Sequence, residues 1–80
     1  MNISQAVIRR IEELCRERHL SINALSNISG ITQSTVNDIM SGKTYNAGIG
    51  TIKKLCDGLG LSVRDFFDSE LFSNLEQEIK

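Results

Sequence analysis

Apolar residues recur along the chain at three- and four-residue spacings, in blocks separated by short polar stretches that carry glycine. Val7, Ile11, Leu14 and Cys15 form the first stripe, extended by the aliphatic stem of Arg18, and predict a helix from about Ser4 to His19. Ser4 is placed to cap its start, and His19 closes it where an imidazole suits the negative end of the helix dipole. Arg9, Arg10 and Arg16 alternate with Glu13 and Glu17 on the outer side, at spacings that allow ion pairs. A second, short helix is predicted from Ile22 to Ser29, capped by Ser21, with Leu25 and Ile28 facing inward and Gly30 ending it at positive φ. Ile31 plugs the turn. Thr32 caps a third helix, Gln33 to Met40, which Gly42 ends in the same way.

Lys43 to Gly50 is polar, aperiodic and glycine-bearing, and predicts a loop. A fourth helix follows from Thr51 to Leu59, with Ile52, Leu55, Cys56 and Leu59 inward and Gly60 as its stop. A fifth runs from Val63 to about Asp68, where Phe66 and Phe67 supply aromatic bulk. Leu71, Phe72, Leu75 and Ile79 continue the helical spacing on an acidic background. The predicted class is all-α: five helices over residues 1–68, then an amphipathic acidic tail over 69–80. The second and third helices, joined by a glycine turn, have the dimensions of a helix-turn-helix unit.

A chain of 80 residues is one small domain, burying only about 60% of its unfolded surface. No staple compensates in the sequence. Cys15 and Cys56 sit at apolar helical positions without a CxxC pair, which predicts two buried, reduced thiols rather than a disulfide between them. No apolar run approaches the roughly 20 residues of a membrane span, and the first residues lack the pattern of a secretory signal. A cytoplasmic protein without membrane association is expected. There is one histidine, with no metal-ligand cluster, no glycine-rich phosphate loop and no serine at a suggestive spacing from a base. The chain is therefore expected to be no enzyme and to need no cofactor or metal.

The net charge is −1. From Met1 to Phe67 eight basic residues stand against six acidic ones, while Asp68 to Lys80 holds four acidic residues and one basic. Acidity is concentrated at one end, and the body is mildly basic. Affinity for a nucleic acid would then depend on geometry and dimerisation more than on bulk charge.

The third predicted helix carries the candidate chemistry. Val36, Ile39 and Met40 lie on one side, and Gln33, Ser34, Asn37, Asp38 and Ser41 lie on the other. The outward side is short, polar and mostly uncharged. Such a face fits the major groove, whose base edges offer donor and acceptor patterns to amide side chains; any solvated helix also shows one. Gln33 and Asn37, one turn apart, could each bond an adenine in a bidentate way.

The run Leu25-Ser26-Asn27-Ile28-Ser29-Gly30-Ile31-Thr32-Gln33-Ser34-Thr35-Val36-Asn37-Asp38-Ile39-Met40-Ser41-Gly42-Lys43 resembles the helix-turn-helix core of the Cro and lambda-repressor-like family, also called XRE. The likeness continues through Thr51 to Ser62 and Asp65-Phe66-Phe67, which resemble that family's fourth and fifth helices. It implies a five-helix lambda-repressor-like domain, here with a C-terminal helical extension, that binds double-stranded DNA and regulates transcription. Carried over position by position, it implies base contacts from Gln33, Ser34, Asn37 and Asp38. Backbone contacts are implied for Ser21, Thr35, Lys43, Thr44 and Tyr45. Ser26 stands where the family usually has alanine, Ile22 where it often has a phosphate-binding glutamine, and Met40 where glutamate is frequent. The loop also lacks the family's common proline.

Two expectations remain for the tail. Leu71, Phe72, Leu75 and Ile79 either fold back on their own domain or form a dimer interface, which would set two recognition helices about 34 Å apart on a palindrome. The expected partner is double-stranded DNA bound by a homodimer, as a repressor of bacterial or phage origin. The alternative is an antitoxin or co-regulator subunit whose main role is to bind a partner protein; an RNA partner fits less well, for want of stacking aromatics.

Overall fold

Helix starts and stops in this chain are set by side chains that satisfy free amides and by residues able to turn left-handed. A computed structural model describes residues 1–44 and 46–79. Among them are α1 (Ile3–Glu17), α2 (Ile22–Ser29), α3 (Gln33–Met40), α4 (Ile49–Leu59), α5 (Val63–Phe67) and a 3-10 turn, Glu70–Phe72. No strand occurs among the described residues.

The start of α1 differs from the sequence expectation. Asn2, not Ser4, is the cap: its carboxamide accepts from the Gln5 amide at 2.8 Å, and the Gln5 side chain accepts from the Asn2 amide at 2.9 Å. This reciprocal box satisfies two amides at once, which a serine inside the helix does not match. Ser21, Thr32 and Ser62 cap α2, α3 and α5 through single hydroxyls. α4 starts two residues before expectation, at Ile49, and its cap position, Gly48, offers no side-chain cap.

Three helices end alike. His19, Gly30 and Gly60 are left-handed, with φ of 55°, 66° and 74°. The following residues Leu20, Ile31 and Leu61 return their amides to Cys15, Ser26 and Cys56 at 2.9, 3.1 and 3.0 Å. Each of these three apolar side chains then packs against the core. The helix stop and the inward plug are thus one device, used three times.

The core is built from Val7, Ile11, Leu14 and Cys15 of α1, Leu25 of α2, Val36 and Ile39 of α3, the four inward residues of α4, and Phe66. Ile28 is the exception to the predicted pattern: it is 47% exposed. α2 instead buries Leu25, Ser26 and Ser29, and Ile28 lies off that arc. The arc is chosen by close approach to α4. A Cβ on Gly58 would stand 2.5 Å from Ser29 Oγ and 2.8 Å from the Ile28 carbonyl oxygen. Small side chains on both helices permit that distance.

The tail is helical only as the single 3-10 turn. Residues 73–79 are irregular, so the predicted amphipathic continuation is absent. Phe72 joins Phe66 and Phe67 in an aromatic cluster, with ring centroids 6.4 and 4.9 Å away. Farther on, the Glu76 amide donates to the Met1 carbonyl at 3.2 Å, and its carboxylate lies 3.5 Å from the Met1 amine. A chain committed to these contacts cannot also hold one straight helical stripe. Leu71 and Leu75 are half-buried, and Ile79 is 87% exposed.

Cys15 and Cys56 are free and buried. Burial pushes both thiols above the ordinary value; Arg18 opposes this at Cys15, while Asp57 adds to it at Cys56 against Lys53. Both are therefore held as neutral thiols. Among the described residues no helix is long and apolar enough to cross a membrane.

Candidate nucleic-acid interface

The polar face of α3 is presented by a helix locked from behind. Val36 and Ile39 are buried and Met40 packs against the core, so the helix cannot rotate without opening it. At its start Thr32 accepts from the Thr35 amide at 3.2 Å, and the two threonine hydroxyls share a hydrogen bond of 2.8 Å. Gln33, Ser34, Asn37 and Thr35 are exposed. Asp38 is only half-buried, less available than the other three predicted base-reading residues.

Asp38 has a second role that the sequence did not show. Its carbonyl accepts from the Ser41 hydroxyl at 3.3 Å and from the Thr44 amide at 3.0 Å. These bonds fold the loop back onto the end of α3, helped by Gly42 at φ 82°. Lys43 is left exposed at the bend, and Thr44 is half-buried. Tyr45, also predicted to meet phosphates, lies outside the described residues. Ser21 is exposed at the start of α2, where its hydroxyl accepts from the Ala24 amide at 3.0 Å and keeps its proton free to donate.

The same loop leads into α4, whose first amides have no side-chain cap. Uncapped amides at a helix start favour anionic oxygens. Sequence reasoning missed this because it began α4 at Thr51; the sign was the Gly48-Ile49-Gly50 stretch, which lacks any capping side chain. From Ser21 to Gly50 the charges are one acid, Asp38, and one base, Lys43. The face is thus nearly neutral and suited to hydrogen-bonded recognition of base edges. Among the described residues no three potential metal ligands converge.

A description of the Cro/C1-type HTH DNA-binding domain matches residues 10–70, which span all of α2 to α5 and most of α1. The chain belongs to the Cro/C1-type helix-turn-helix family. Within it, this Cro/C1-type chain is 31% identical over 58 residues to the SPbeta prophage-derived HTH-type transcriptional regulator YotL of Bacillus subtilis (strain 168), a match covering 72% of each protein. It is 33% identical over 58 residues to the SPbeta prophage-derived HTH-type transcriptional regulator YopS of the same organism, covering 72% of this chain and 78% of that one. The crystal structure of the prophage Lp1 protein 11 superposes with a TM-score of 0.80 at 36% identity, covering 94% of this chain and 100% of the other. The all-helical fold and the helix-turn-helix assignment of α2 and α3 follow. The Cro/C1-type family is one of DNA-binding transcriptional regulators.

Proposed function

We propose that this chain is a repressor that binds a palindromic operator as a homodimer, with α3 in the major groove of each half-site. The observation that carries the reading is the exposed set Gln33, Ser34 and Asn37 on a helix whose opposite side is held by Val36 and Ile39. Gln33 and Asn37 read adenine edges, Ser34 reads a neighbouring base, and Asp38 accepts from a cytosine amino group. Ser21, Thr35, Lys43, Thr44 and Tyr45 position the helix through phosphates. The protein acts in the bacterial cytoplasm, a reading supported by relatives whose names mark them as prophage-derived regulators. A role centred on a partner protein is less favoured, because Phe72 of the acidic tail is engaged with its own domain.

Selection from a random duplex library at near-physiological salt tests the proposal. Recovery of a palindromic site is expected, with Gln33→Ala and Asn37→Ala each losing about 1–3 kcal/mol of discrimination at defined base pairs. A folded protein that enriches no sequence would overturn it.

A further inference from the structure

We infer that Thr32 is a positioning residue for DNA binding: its hydroxyl holds the Thr35 hydroxyl in place as a donor to a backbone phosphate. The inference rests on the phosphate role given to Thr35 above and adds Thr32 to it. Thr32 Oγ1 accepts from the Thr35 amide at 3.2 Å and lies 2.8 Å from Thr35 Oγ1. Capping uses a lone pair of the Thr32 oxygen and leaves the hydroxyl proton over. Ser21 and Ser62 cap α2 and α5 in the same way, but Ala24 and Asp65 stand where α3 has Thr35. Among these hydroxyl-capped helices only the reading helix follows its cap with a second hydroxyl.

The two hydroxyls have two protons, and the bond between them takes one. The other is left for solvent or a ligand, since both residues are exposed. With Thr32 donating, the Thr35 amide, the Thr32 hydroxyl and the Thr35 hydroxyl form one chain of donors that ends on a phosphate oxygen, each bond strengthening the next. A threonine hydroxyl inside a helix is otherwise drawn back to a carbonyl of the preceding turn, which directs its proton inward. At Thr35 the cap hydroxyl holds it at the open end of the helix instead. The charge of the face gives this pair its weight. Lys43 is the one base from Ser21 to Gly50, so neutral hydroxyls carry most of the phosphate anchoring. A neutral donor binds well when it is already held in the bound geometry, which spares the ordering of a free rotor.

Fluorescence anisotropy of the full chain, on the selected duplex and on an unrelated one, tests this with four variants. Thr35→Val removes the donor and should weaken binding to both duplexes about tenfold. Thr32→Ser keeps the hydroxyl and should bind within about twofold of the parent. Thr32→Asn keeps the cap, so its urea midpoint should match or exceed the parent's, yet it has no hydroxyl proton to give Thr35. It should weaken both duplexes about fivefold and leave the ratio between them unchanged, since phosphate contacts carry no sequence information. Adding Thr32→Asn to Thr35→Val should weaken binding no further, because the group it positions is gone. Parental binding by Thr32→Asn or by Thr35→Val would overturn the positioning role and leave DNA recognition standing. A full additional loss in the double variant would do the same, as would a loss confined to the selected duplex, the mark of a displaced α3. A folded parent chain that selects no duplex would overturn the inference and the DNA reading together.

Discussion

Arg10 donates from Nε to the carbonyl of Phe66 at 2.6 Å, across 56 residues of chain. Its Nη2 donates to the neighbouring Asp65 carbonyl at 2.9 Å, and its Nη1 pairs with Glu13. One guanidinium in α1 thus holds two backbone carbonyls of α5, a helix of only five residues. The planar fork satisfies both carbonyls together, and Phe66 beside them is fully buried.

Arg10→Ala should therefore destabilise the domain by about 2 kcal/mol, equivalent to roughly 10 °C in Tm for a chain of this size. Arg10→Lys should recover only a fraction, because an ammonium cannot reproduce the fork. Thermal melts of the two variants decide this; equal stability of lysine and arginine would show that charge alone matters.

The contact of α2 with α4 makes Gly58 the least replaceable glycine. Gly58→Ala should cost about 1–2 kcal/mol: overpacking is opposed by the better helix propensity of alanine. Removing the Ser29 side chain should not rescue it, because the Ile28 carbonyl and the Ser29 Cα would remain 2.8 and 2.9 Å from the new methyl. A double-mutant cycle with Ser29→Gly, read by urea denaturation, gives the answer.

His19 occupies the left-handed position that glycine fills at the ends of α2 and α4. His19→Gly should stabilise the domain by about 0.5–1 kcal/mol, relief of that conformation outweighing the extra freedom of the unfolded chain. A rise in the urea midpoint with unchanged slope is the expected result.

Lys43 is the one base between Ser21 and Gly50, which makes the salt dependence of binding a direct reading of its role. Lys43→Ala should weaken binding to all duplexes alike and reduce the slope of log K against log salt by about 1. Titrations at several salt concentrations, on the selected site and on an unrelated duplex, test both statements.

Local chemistry determined much of this protein in its sequence. Ser21, Thr32, Gly30, Gly42 and Gly60 set the bounds of α2 and α3 and the end of α4 within a few residues of themselves, because caps and left-handed stops are short-range. The exposed face of α3 was legible for the same reason: Val36 and Ile39 define its buried side, so Gln33, Ser34 and Asn37 must lie opposite. The Asn2 and Gln5 box was equally local, but Ser4 competed for the same role.

Tertiary structure alone decided the rest. Ile28 has the spacing of a core residue, yet the Ser29–Gly58 approach chose another arc of α2. Arg10 reads as one more surface charge until α5 arrives to place two carbonyls before it. Leu71, Phe72, Leu75 and Ile79 repeat like a helix, but the aromatic cluster and the Met1–Glu76 contacts hold that segment along a different path. Periodicity reports which side chains could share a face. Which face is buried depends on how closely two backbones approach, and that is a property of residues far apart in the chain.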